Sequence, residues 1–136
     1  MRVLALDYGS ARCGVALSDP TGTVVTPLEP IARVASKSGL GRLAALVRER
    51  RVELVVVGLP VSLAGGDTAQ TTETRAFADR LRERLRGVPV ELYDERLTTR
   101  LAMRDASRTA SEDSRAAAHL LESWLAGRFP TEGAVD

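Results

Sequence analysis

Three acidic residues stand where elements end or begin. Asp7 closes the apolar run Val3-Leu4-Ala5-Leu6, Glu95 follows Asp94 at the end of 88-VPVELYDE-95, and Asp113 opens the last helical pattern. In that pattern positions 113, 117, 120, 121 and 124 share one helix face, so Asp113 heads a stripe of Ala117, Leu120, Leu121 and Trp124 that must pack on something. Each acid also has an ordinary reading. Asp7 before Gly9 is turn chemistry, and Asp113 in a first helical turn complements the helix dipole. Asp94 and Glu95 cannot share a sheet face while the strand stays extended. Glu95 is therefore assigned to the site, and Asp94 to the cap of a helix beginning near Arg96 or to a supporting position behind the site. Three carboxylates gathered at one edge repel one another and resist ionisation unless a cation neutralises them. Oxygen-only ligation without His or Cys suits Mg²⁺ or Mn²⁺, and the chemistry such a cluster performs is metal-assisted phosphodiester hydrolysis.

Cations flank these acids. Arg96, Arg100, Arg104 and Arg108 recur at every fourth position, a ridge that would track a phosphate backbone if the segment is helical; the plain alternative is a solvated face. Ser10 and Arg12, beside Asp7, are placed to grip a phosphate, or simply to make a hairpin. With two Tyr, two Phe and one Trp, an extended base-stacking platform is not expected. Tyr8, next to Asp7, is the one aromatic with a candidate stacking role. Trp124 belongs to an apolar stripe, and His119 lies off the face of Asp113, at the surface or an interface.

The elements that must position these groups follow from periodicity. Residues 2–7 read as a strand buried on both faces, and 12–18 as its hairpin partner with Val15 and Leu17 on one face. Val24-Val25 and Ile31 to Val34 allow a third, short or irregular edge strand limited by Pro27 and Pro30. A helix from Ser38 to about Arg51, a strand at 53–58, a helix from about Gln70 to Leu85 and a strand at 88–93 come next. Two helices, roughly Arg96 to Ser107 and Glu112 to Ala126, complete the chain, with a flexible tail from 130 to 136. Right-handed crossovers put the strands at 3–7, 53–58 and 88–93 in parallel, with the hairpin strands antiparallel on the other side. Asp7, the loop after Gly58 and 94-DER-96 should then converge at the shared carboxyl edge of an α/β mixed sheet flanked by helices.

At 136 residues the chain suits one domain, 1–136. Its single cysteine, Cys13, excludes an internal disulfide and a cysteine zinc cluster, and reads as a buried thiol in a reducing compartment. No apolar run approaches membrane-spanning length, and a cytoplasmic location is expected, with no membrane partner. Net charge is +1, so any argument for a polyanionic partner rests on how charge is distributed. Of the 19 basic residues, all but Lys37 are arginine.

The chain resembles the YqgF family, Holliday-junction-resolvase-like proteins of ribonuclease H-like fold that are also described as pre-16S rRNA nucleases. Four motifs in order carry the resemblance. They are Asp7, Gly9, Arg12, Gly14, Val15, Ala16, Ser18 and Asp19 of the opening D-x-G-x-x-R-x-G-V-A-x-S-D; 58-GLP-60; 94-DERLTT-99; and Asp113, Ala116 and Ala117 of D-x-x-A-A. The resemblance implies that Asp7, Glu95 and Asp113 are the metal-binding and catalytic acids of a nuclease. The substrate it implies is structured RNA such as the pre-16S rRNA end, in ribosome biogenesis. A branched DNA junction, as in recombination and repair, is the alternative substrate. Two other classes compete: a nucleic-acid-binding module without catalysis, and a phosphotransferase, because an Asp-x-Gly-Ser turn between strands also opens actin-like kinase domains. Oligomeric state is not legible.

Overall fold

Val3, Leu4, Ala5 and Leu6 are all buried, yet they serve two different cores. The computed structural model describes residues 1–98 and 110–128. In it, strand β1 (Val3–Asp7) sends Leu4 and Leu6 into a cluster with Leu43, Phe77 and Leu81. It sends Val3 and Ala5 into another with Ala117, Leu121 and Trp124. Burial on both faces is what a central strand requires, and it explains a run with no polar alternation. β1 pairs antiparallel with β2 (Arg12–Ser18), which pairs antiparallel with β3 (Val25–Ala32). On its other side β1 pairs in parallel with β4 (Leu54–Leu59), and β4 with β5 (Val90–Asp94), giving the order β3-β2-β1-β4-β5.

Helices α1 (Lys37–Glu49) and α2 (Ala69–Arg84) contribute Leu40, Leu43, Val47, Phe77, Ala78 and Leu81 to the first cluster. The second cluster takes its helical members from α3 (Ala110–Arg128). The sheet thus lies between two helical layers, and the mixed α/β architecture expected from the sequence is the one observed. Both early helices start on side-chain caps: Ser36 Oγ accepts from the Gly39 N–H at 3.0 Å, and Thr68 and Thr71 form a reciprocal capping box. Thr71 Oγ1 also donates to the Pro60 carbonyl, which fastens the loop after β4 to the start of α2. Among the described residues, no helix is long and apolar enough to cross a membrane.

Two expectations need correction. The third strand lies at the sheet edge as expected, but β3 is a continuous eight-residue strand, longer than the short strand expected within 24–34. It tolerates its prolines because it is an edge strand and because its register with β2 moves from Cys13↔Ile31 to Val15↔Leu28. That is two steps on β2 against three on β3, and a bulge therefore falls at Glu29 and Pro30. At the opposite edge Arg82 Nε and Nη2 donate to the Val90 carbonyl at 3.2 and 3.0 Å. The second correction concerns the helix expected from Arg96. Glu95–Leu97 is a single 3₁₀ turn, and Thr98 leaves it in extended conformation, φ −88° and ψ 153°. The rest of that expected helix, with Arg100, Arg104 and Arg108, lies outside the described residues, as does the expected tail.

α3 sits unusually close to the sheet. A Cβ built on Gly14 of β2 would lie 2.0 Å from the Asp113 carbonyl oxygen, and one on Gly58 of β4 would lie 3.1 Å from Leu120 Cδ2. Ala5, Ala16 and Ala117 complete a small-residue patch between helix and sheet. Any side chain at position 14 forces backbone apart, so Gly14→Ala should lower the unfolding free energy by about 1–3 kcal/mol in urea titrations. Gly127→Ala, whose added methyl would meet nothing within 4 Å on the same helix, should be neutral or stabilising by up to about 1 kcal/mol.

Candidate active site

The strand parity that divides the cores also sorts the acids. Asp7 continues the Val3, Ala5 series and so faces the α3 side, where its ladder partner Gly14 touches the backbone of Asp113. Glu95 reaches the same face from β5: its Cγ lies 3.1 Å from where a Gly58 Cβ would be, and Gly58 is the β4 residue following Val57, the partner of Leu6. Asp7, Glu95 and Asp113 thus come from three elements to one end of one sheet face, and all three are half-buried. Cys13 reports the same convergence. Its buried thiol is pushed well above the ordinary value, first by burial and then by the charges of Asp7 and Asp113. It is an inert structural thiol.

Local interactions fix each acid's approach. Ser114, next to Asp113 and fully buried, accepts from the Val15 N–H at 3.2 Å, at the register break between β2 and β3. A strand donor left over by the bulge is thereby satisfied, and the first turn of α3 is pinned to β2. Ser123 holds the turn that carries Glu95: its hydroxyl donates to the Leu97 carbonyl at 3.0 Å and lies 2.8 Å from the Tyr93 hydroxyl. Neither serine was singled out by sequence reading. The signal for both is a polar residue inside an apolar helical stripe.

Arg12 does not stand apart from the acids. Its Nε donates to Asp113 Oδ2 at 2.8 Å, so the candidate phosphate clamp holds a candidate ligand. Ser10 is exposed at the tip of the same hairpin. Asp94 caps the 3₁₀ turn by accepting from the Arg96 N–H at 2.9 Å, and its carboxylate takes the Arg96 guanidinium at 2.6 to 3.1 Å. Arg96 Nη1 reaches on to the Leu63 carbonyl at 3.3 Å. Arg96 therefore bridges the turn to the loop after β4, and the turn itself closes at Leu97, with Thr98 extended. The same Arg96 bonds hold the Asp94 carboxyl below the usual range. Asp19 of the opening motif works in the β2–β3 turn, accepting from Thr21 Oγ1 and the N–H groups of Thr23 and Val24.

Tyr8 is corrected from a stacking candidate to a core residue. It follows Asp7 and so points to the opposite face. There its ring stacks on Phe77, centroids 4.6 Å apart, and its hydroxyl donates to Glu73 at 3.1 Å. Trp124 is buried with its Nε1 donating to Glu91, and His119 lies partly exposed with Nδ1 3.4 Å from Glu122.

The donor set around Asp7 is carboxylate oxygen only, which fits a hard divalent cation. Among the described residues no group of three or more His, Cys, Asp or Glu is arranged to hold one ion, and Arg12 lies on Asp113.

Comparison with known proteins gives a consistent picture. A family model described as RuvX, Holliday junction resolvase, matches residues 1–127. A relative named "Putative pre-16S rRNA nuclease" from Anaeromyxobacter sp. (strain Fw109-5) is 42% identical over 136 residues, covering 94% of this chain and 98% of its own. One of the same name from Mycolicibacterium paratuberculosis is 44% identical over 132 residues, covering 91% and 79%. Among solved structures, Thermus thermophilus RuvC superposes with a TM-score of 0.55 at 19% identity, covering 96% of this chain and 98% of its own. T. thermophilus RuvC in complex with a Holliday junction substrate gives 0.57 at 20% identity, covering 96% and 97%. At these identities the likeness concerns the fold.

Two outcomes test the local framework. Ser114→Ala strands the Val15 donor in a buried position and should cost about 1–3 kcal/mol in chemical denaturation. Arg96→Gln should move the Asp94 titration upward in carboxyl-carbon NMR. Because the folded-state value is depressed, the advantage of the parent chain over this variant is full above the ordinary carboxyl value of 3.8. It is lost as pH falls through the lower folded value.

Proposed function

The chain belongs to the RuvX family, described as Holliday junction resolvase, and from that membership we propose that it is a metal-dependent nuclease of the cytoplasm, one domain acting on structured RNA such as the pre-16S rRNA end. The observation that carries the chemistry is the arrival of Asp7, Glu95 and Asp113 from β1, the end of β5 and α3 on one half-buried sheet edge. The observation that favours this substrate is the name shared by relatives 42% and 44% identical.

In this reading Asp7, Glu95 and Asp113 hold Mg²⁺ or Mn²⁺, which when bound supplies water activation and charge neutralisation for phosphodiester hydrolysis. The chain's own residues do the positioning. Asp7 is fixed by ladder pairing on a central strand, the most rigid placement the fold offers. Arg12 exchanges its bond to Asp113 for the non-bridging oxygens of the scissile phosphate, and its planar fork suits either partner. Ser10, exposed on the hairpin tip, donates to the same phosphate. Asp94 and Arg96 keep the Glu95 turn attached to the loop after β4, and Arg100, Arg104 and Arg108 contact the flanking backbone.

A branched DNA substrate is the second reading, favoured by the family description and by the junction complex of the Thermus fold relative. Labelled structured RNA, single strands and four-way junctions assayed side by side with Mg²⁺ and with Mn²⁺ separate the two. Asp7→Asn should abolish cleavage while leaving binding within a fewfold. Cleavage at an unchanged rate would remove Asp7 from the chemistry, and binding without cleavage by the parent chain would favour a non-catalytic module.

A further inference from the structure

Lys37, Arg48, Arg51, Arg80, Arg84 and Arg86 surround two adjoining surface hollows between α1 and α2, of about 520 and 340 Å³, with Arg84 and Arg86 lining both. Glu83 is the one acid lining either hollow. All six cations are exposed, and none forms an ion pair among the described residues. Their neighbours on α2 behave differently: Arg75 pairs with Asp67 and Arg82 with Asp79. Charge on this helix is therefore balanced away from the hollows and unbalanced at them.

Two further observations separate this patch from an ordinary solvated face. Arg51 follows the C-cap of α1 with φ of 55°, a left-handed conformation that favours glycine, yet the position carries a cation. Arg84 Nη2 comes within 3.5 Å of where a Gly41 Cβ would lie, so its guanidinium rests across α1 at a residue without a side chain. The patch belongs to the α1/α2 layer, whereas the three acids face the α3 side of the sheet.

We propose that this surface is a second phosphate-backbone site, holding a double-stranded arm of a structured nucleic acid while the carboxylate edge holds the strand to be cut. The second half of that statement rests on the nuclease reading; the binding surface does not. Unpaired cations around a hollow release counterions on meeting a polyphosphate, and no aromatic residue lines either hollow, so contact is to backbone and not to bases. A duplex arm fits because it presents phosphates at regular spacing without requiring bases to be splayed.

The test uses the full chain carrying Asp7→Asn, a fluorescent RNA hairpin with a long stem, and binding measured across a salt series. Replacing Arg80, Arg84 and Arg86 together by Gln should weaken binding about tenfold or more at low salt. The same change should reduce the slope of log affinity against log salt by roughly 2 to 3. Replacing the same three by Lys should retain most of the slope. Unchanged affinity and slope in the Gln variant would overturn the proposal, as would equal losses in the Gln and Lys variants, since charge would then not be the cause. Cleavage is read separately with Asp7 intact. A parent chain that cuts nothing, alongside lost affinity in the Gln variant, sinks the nuclease reading and leaves this surface standing; cleavage with unchanged affinity does the reverse.

Discussion

Two backbones meet where β2 passes beneath the first turn of α3, and there is no room for a side chain between them. Gly14 lies directly under the Asp113 carbonyl, and the Val15 N–H beside it is claimed by Ser114. Close approach at this point fixes the height and the rotation of α3, hence which of its residues reach the sheet. Ala117, Leu121 and Trp124 then fill the space over Val3, Ala5 and Ala16. The same contact delivers Asp113 to Asp7, whose ladder partner is Gly14. Stability and site geometry share one cause here. A change that lifts the helix loosens the core and separates the acids together.

The sheet's two faces divide labour by parity. Odd-numbered β1 residues lead to the acids under α3, and even-numbered ones lead to the packed side under α1 and α2, where Tyr8 stacks on Phe77. Chemistry at one edge can therefore vary without repacking the other face, because among the described residues the two core clusters share no member. Arg12 offsets some of the repulsion among the gathered carboxylates by its bond to Asp113.

Much of this was legible in the sequence, for identifiable reasons. β1, β4 and their parallel order follow from apolar runs too uniform for a one-sided strand, and the inward position of Asp113 follows from helical spacing. Tyr8 neighbours Asp7 along the chain, yet the period of two sends it to the opposite face. The turn at Glu95 is hidden for a different reason: the arginine spacing from Arg96 suits a helix and Asp94 supplies an N-cap for one, yet Thr98 is extended and the described turn is a single 3₁₀ turn. Ser114 and Gly14 were illegible as a pair, since they lie 100 positions apart and only tertiary contact joins them. The prolines of β3 point to an edge strand, which it is, and a bulge at one of them lets the strand run longer than the sequence suggests.

Those prolines have a consequence for how the molecule meets its own copies. An open sheet has two rims on which a foreign strand can lay itself and continue the ladder. On one rim, Pro27 and Pro30 remove two N–H donors from the eight residues of β3, and the bulge kinks what is left. On the other, the Val90 carbonyl points away from β4 and is already occupied by the guanidinium of Arg82. One rim is short of two donors and the other has an acceptor taken. A protein whose central strands are nearly unbroken Val, Leu and Ala is in this way kept from growing sideways into a fibre.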